Sequence, residues 1–183
     1  MRMENTAARF SLSELLSPAA IKLHLAGQDR DTVLNELVCQ ISEIANRPDA
    51  RQTLLHALQE REQLHSTGIG DGIALPHSRN GLVGLVDHPV LVFGRSDEGI
   101  NYSAIDGAPA RLFFLLIAPT VTQHLAILAR LSRILRNPKL RKNLQSETPG
   151  RPKRWCRQSG GIEFIKATRL TRCPCCSSWR AIS

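Results

Sequence analysis

The sequence predicts an α/β fold in a single domain: a mixed sheet of about five strands flanked by helices. Three observations carry this. Apolar runs of strand length are interspersed with apolar patterns of helical period. The alternation is not a strict strand–helix–strand rhythm: two helical patterns come together before a glycine-rich segment and two strand candidates follow it, which favours a mixed sheet. The chain has 183 residues, 42% apolar and 22% charged, enough for one domain with a full core. Aromatic side chains make up only 4%, so Leu, Ile, Val and Ala must fill that core.

The first ten residues form an N-terminal arm, and the domain spans 11–146. Ser11 and Glu14, three apart, have the spacing of a capping box for a short opening helix. Ala20 to Leu25 alternates apolar and polar residues as a half-buried strand does, and Gly27 ends it. From Asp31 to Ala45, Val33, Leu34, Leu37, Val38, Ile41 and Ile44 recur at helical spacing, with Asp29 or Asp31 available as the cap. Pro48 suits the first turn of a second helix whose buried stripe is Leu54, Leu55 and Leu58. Gly68, Gly70 and Gly72 then exclude a stable helix. Ile73 to Leu75 is a short strand stopped by Pro76, and Val90 to Phe93 is a buried strand candidate. Ala110 to Ala118 is apolar on both faces and so belongs at the centre of the sheet. Thr122 can cap a following helix with Leu125, Leu128, Leu131 and Leu135 on one stripe. Asn137-Pro138 breaks it, and a last short helix runs from Lys139 to about Leu144.

Beyond Ser146 the periodicity disappears. Residues 147–183 form an atypical tail that mixes Gly, Ser, Cys and Arg, with Gly161 to Ile165 its one strand candidate, and too little apolar pattern to offset the entropy of ordering. The tail holds eight basic and two acidic residues, thus six of the eight net positive charges, and the body is close to neutral. The high net charge therefore says little about the domain, and without stacking aromatics or a reading helix it does not indicate nucleic-acid binding. Cys156, Cys173, Cys175 and Cys176 lie in the tail without the paired spacing of a zinc site, and Cys39 reads as a buried filler. No apolar run approaches the ~20 residues of a membrane span. Arg2 and Arg9 have no apolar stretch behind them, so no secretory signal is read and a cytoplasmic location without membrane insertion is expected.

The glycine segment points to chemistry. Backbone N–H groups around Gly68, Gly70 and Gly72 can face one concavity and hold an anion. The segment is neither a P-loop nor a dinucleotide fingerprint. It delivers His77, preceded by Pro76 and followed by Ser78 and Arg79. A neutral imidazole is a competent nucleophile near pH 7, with an unperturbed pKa of ~6.5. On spacing alone, a polar residue closing a strand is the plainer reading of His77. His24 has no partner in view. His56, His65 and His88 occupy a helix, the approach to the glycine segment and a loop, and no pair has the spacing of a helical metal site.

The run Arg61-Glu-Gln-Leu-His-Ser-Thr-Gly-Ile-Gly-Asp-Gly-Ile-Ala-Leu-Pro-His77 closely resembles the active-site stretch of the fructose/mannitol-type IIA domains of the bacterial phosphoenolpyruvate-dependent sugar phosphotransferase system. The similarity extends from about Phe10 to Leu144 and includes Leu12-Ser-Glu-Leu-Leu-Ser-Pro18. The free-standing nitrogen-regulatory branch fits best, because permease, IIB-like and carrier segments are not seen. The resemblance implies a phosphorelay protein in which His77 takes a phosphoryl group from a nitrogen-type histidine phosphocarrier protein and regulates targets, not identified by sequence, through protein contacts. A sugar-specific IIA passing the group to a IIB or permease partner is the alternative. Arg61 and His124 match the family's site arginine and second histidine. Thr67, Gly68 and Gly70 are further candidates for binding the phosphoryl group. Neither a cofactor nor a metal is implied. Family members continue past Leu144 with a short acidic, apolar segment forming a final helix. This chain departs from that pattern, which suggests a frame-shifted or replaced terminus and a disordered tail.

Overall fold

A computed structural model describes residues 15–78 and 85–146. The N-terminal arm, the Ser11–Glu14 capping box and the tail from 147 lie outside the described residues. Among the described residues, a 3₁₀ turn, Pro18–Ala20, leads into strand β1, Ile21–Lys22. Helix α1 spans Arg30–Val38, a 3₁₀ turn Ser42–Ile44 follows, and α2 spans Pro48–Leu64 with Pro48 in its first turn. Strands β2, Gly68–Gly70, and β3, Ile73–Ala74, come next. The long strands are β4, Val90–Ile100, and β5, Ala110–Ile117. Helices α3, Val121–Leu135, and α4, Pro138–Ser146, complete the described chain.

The five strands form one mixed sheet in the order β1-β4-β5-β3-β2. β4 and β5 are antiparallel, while β1 on β4 and β3 on β5 are parallel. β5 is central, as its two apolar faces require. Phe113, Leu115 and Ile117 enter one core with Leu34 and Leu37 of α1 and Leu54 and Leu58 of α2. Leu112, Phe114 and Leu116 enter a second core with Ile127, Leu131 and Leu135 of α3. This alternation is the period of two of an extended chain, with helices on both sides.

Several expected boundaries move. The strand expected over Ala20–Leu25 contracts to Ile21–Lys22, although the Leu25 N–H still reaches the Arg95 carbonyl at 2.8 Å. The helix expected from Asp31 to Ala45 stops at Val38. A 3₁₀ turn keeps Ile41 and Ile44 buried, since three-residue spacing serves either helix type. Asp29 is the cap of α1, accepting from Thr32 N while Thr32 Oγ1 closes a reciprocal box. These bonds, with the Thr32 backbone N–H first, hold the Asp29 carboxyl below its usual range. Cys39 is half-buried at the end of α1, not a sealed filler. Thr120, not Thr122, caps α3, because the chain is still extended at Thr120 and its hydroxyl takes the Gln123 N–H. The buried stripe of α3 accordingly runs through His124, Ile127, Leu131 and Leu135, and Leu125 is exposed. His24 has a partner after all, Asp97 Oδ2 at 2.6 Å. Among the described residues no helix is long and apolar enough to cross a membrane.

Candidate functional site

The site forms where the glycine hairpin, the β3 extension and the start of α3 meet. Gly70, Asp71 and Gly72 have φ of 88°, 56° and 75°, so the chain reverses through three left-handed residues, two of them glycines. β2 and β3 then run antiparallel with a bulge between Gly68 and Gly70. After Ala74 the chain stays beside β5: Leu116 N–H donates to the Pro76 carbonyl at 3.0 Å, and His77 forms a parallel bridge with Leu116.

This extended path turns the His77 ring back on its own backbone. Its Nδ1 lies 2.8 Å from the Leu75 carbonyl oxygen. A carbonyl can only accept, so Nδ1 carries the proton and Nε2 holds the lone pair of the neutral ring. The ring is half-buried, and its centroid is 5.2 Å from that of His124, tilted by 49°. His124 stands in the first turns of α3 and is buried. Burial first, and the neighbouring His77 second, lower its pKa to about 4, so at neutral pH it is an uncharged N–H donor. The positive end of α3 lies on the same side.

The remaining candidates are placed differently. Arg61 is in the last turn of α2, half-buried, with Nη1 donating to the His65 carbonyl at 2.7 Å. It closes the helix end while keeping a fixed charge at the entrance to the glycine hairpin. Thr67 is buried, and its N–H and hydroxyl both donate to the Glu62 carboxylate. The donors around the glycines do not gather around one empty concavity. Gly68 N–H reaches Ser66 Oγ at 3.0 Å, and Asp71 N–H reaches Asp106 Oδ2 at 2.7 Å. The Asp106 carboxylate thus occupies the anion position at the turn, and the N–H groups of Asp71 first and Ala108 second hold its pKa below the usual range. His77 and His124 are therefore the pair the fold visibly brings together.

Glu62 was not singled out in the sequence, although a signal was present. It follows Leu54 and Leu58 at four-residue steps, so a carboxylate continues the buried stripe of α2. Among the described residues, no group of three or more His, Cys, Asp or Glu is placed to hold a metal ion.

An imidazole with a fixed tautomer beside a second, neutral imidazole is suited to nucleophilic group transfer through one ring nitrogen. Residues 14–150 match the family described as "Phosphoenolpyruvate-dependent sugar phosphotransferase system, EIIA 2". The chain belongs to this family and is a component of the phosphotransferase class. It is 37% identical over 135 residues to the PTS system fructose-specific EIIABC component of Bacillus subtilis, covering 73% of this chain but only 21% of that protein. It is 31% identical over 137 residues to the nitrogen regulatory protein of Bradyrhizobium diazoefficiens, covering 74% of this chain and 86% of that one. The crystal structure of nitrogen regulatory protein IIA-Ntr from Neisseria meningitidis superposes with a TM-score of 0.66 at 27% identity, over 75% of this chain and 92% of that one.

Proposed function

We propose that this protein is a phosphohistidine relay of the nitrogen-regulatory branch, accepting a phosphoryl group on His77 from a histidine phosphocarrier protein. The observation that carries the reading is the Nδ1 bond of His77 to the Leu75 carbonyl, which leaves the lone pair on Nε2. In the transfer, Nε2 attacks phosphorus in line with the donor's phosphorus–nitrogen bond. That bond breaks, and its electron pair returns to the donor imidazole. The new bond makes the His77 ring cationic, and the Leu75 carbonyl stabilises the charge through Nδ1–H. His124, neutral at working pH, donates to a phosphoryl oxygen, and the remaining N–H groups of Arg61 spread its negative charge. Thr67, Gly68 and Gly70 support the loop that delivers the ring, and Thr67 and Gly68 take a phosphoryl oxygen only if their bonds to Glu62 and Ser66 rearrange.

The nitrogen-branch reading is supported by the likeness to the Bradyrhizobium nitrogen regulatory protein over 86% of that chain and by the superposition on IIA-Ntr of Neisseria meningitidis. A sugar-specific IIA role is the second reading, supported by the 37% identity to the fructose-specific component of Bacillus subtilis. Intact mass after incubation with phosphoenolpyruvate, the first enzyme of the system and a carrier tests the assignment. One acid-labile phosphoryl group is expected on the native chain and none on His77→Ala. Uptake that survives the substitution removes His77 from the role. Running the assay with a nitrogen-type and a sugar-type carrier separates the two readings. The acceptor function is assigned to residues 11–146, so a chain shortened after Ser146 is expected to take up the group as the whole chain does.

A further inference from the structure

Glu62 is a charged group for which the transfer chemistry has no direct use. It is 3% exposed, and among the described residues it forms no ion pair. A buried carboxylate without a cation is costly, and an apolar side chain would continue the Leu54–Leu58 stripe at lower cost. Its two oxygens both meet Thr67: Oε2 accepts the Thr67 N–H at 3.0 Å, and Oε1 accepts the Thr67 hydroxyl, with the buried Tyr102 hydroxyl beside them. Thr67 in turn holds β3, because its carbonyl accepts the Leu75 N–H at 3.0 Å. The opposite face of that same residue, the Leu75 carbonyl, accepts Nδ1–H of His77 at 2.8 Å.

We infer that Glu62 is a positioning residue for His77, acting through Thr67 and the Leu75 peptide to fix the ring in the tautomer with its lone pair on Nε2. Each link is a hydrogen bond with one possible direction of donation, so what Glu62 contributes is the placement of the groups along it. Charge-assisted bonds to Glu62 are the strong members and anchor the start of β2. With β2 anchored, the Leu75 carbonyl has one orientation to offer. The ring then has one nitrogen to protonate against it.

The inference rests on His77 being the reacting residue but is tested separately from it. The full chain, labelled with nitrogen-15, reports the His77 tautomer directly by NMR near neutral pH. Native protein is expected to show the Nδ1–H form. Glu62→Gln keeps the shape but sets an amide NH₂ against one Thr67 donor, and Thr67→Val removes the hydroxyl alone. Both are expected to shift the ring toward Nε2–H and to slow phosphoryl uptake about ten-fold, the direction seen when a catalytic imidazole is held in the wrong tautomer. Thr67→Ser keeps both donors and is expected to behave as native protein. An unchanged tautomer in folded Glu62→Gln and Thr67→Val overturns the inference, as does slowed uptake with the tautomer unchanged. If one variant does not fold, the other carries the test. Loss of fold in both makes the pair a requirement of folding and also overturns it. If native protein takes up no phosphoryl group, the phosphorelay reading fails while the tautomer measurement still decides the role of Glu62.

Discussion

His124 makes the site measurable through stability as well as activity. Its pKa falls from 6.5 to about 4 in the fold, because burial excludes the charged ring. Below pH 6.5 the unfolded chain binds a proton that the folded chain refuses. Stability is therefore fully present above about pH 6.5 and declines as pH falls toward 4, by on the order of 3 kcal/mol. His124→Gln is expected to flatten this part of the profile, as measured by urea midpoints at pH 7 and pH 4.5. An equal slope in both proteins would mean that the ring is not held neutral by burial. His124 also shows what the sequence can and cannot supply at this scale. The family resemblance marked it with His77 and Arg61, but helical spacing read from the wrong cap put Leu125 on the buried stripe, where His124 stands. Apolar periodicity does not mark Glu62, because a carboxylate at a stripe position adds nothing to an apolar pattern.

The elements were legible in proportion to their apolar length. β5 and β4 were visible because continuous Leu, Ile, Val and Phe runs report burial on two faces. The apolar run marks β4 only as far as Phe93, because Arg95 to Glu98 lacks the apolar pattern although the pairing with β5 persists to Ile100. β2 was not legible as a strand: its glycines have no side chains to show a period, and their role appears only in what they approach. A Cβ on Gly68 would lie 2.8 Å from Ala104 Cα, a backbone atom that cannot swing aside. Gly68→Ala is thus expected to push β2 off the Tyr102–Asp106 segment, costing about 1–3 kcal/mol and slowing phosphoryl uptake. Gly107, at φ 69° with no atom within 4 Å of a built Cβ, asks only for a left-handed residue. Gly107→Asn is expected to stay within about 1 kcal/mol of native protein. Thermal unfolding of the two variants checks the contrast, and equal effects would remove close packing as the reason for Gly68.

At the scale of the whole molecule, a near-neutral body conceals a separation of charge. Residues 121–146 contain six basic residues, Arg130, Arg133, Arg136, Lys139, Arg141 and Lys142, and no acidic one, whereas residues 1–120 hold ten basic against fourteen acidic. The helices α3 and α4 that carry this charge also seal the second core, so the sheet divides the protein into two sides of different character. One side packs α1 and α2 through Leu34, Leu37 and Leu54. The other packs α3 through Ile127 and Leu131, with His124 on the same buried stripe. The two cores share β5 but not helices, and only the second sets the height of α3 above His77. Leu34→Ala and Ile127→Ala should each cost about 2–5 kcal/mol. Their effects on transfer should nonetheless differ. A cavity under Ile127 lets the first turns of α3 settle and alters the 5.2 Å spacing of the two imidazoles, so uptake by His77 slows. A cavity under Leu34 lies across the sheet and leaves that spacing alone. Urea titration gives the stability of each variant, and phosphoryl uptake measured well below both midpoints gives its rate. Equal slowing at equal loss of stability would show that the site follows global stability, and slowing confined to Ile127→Ala would show that it follows the placement of one helix.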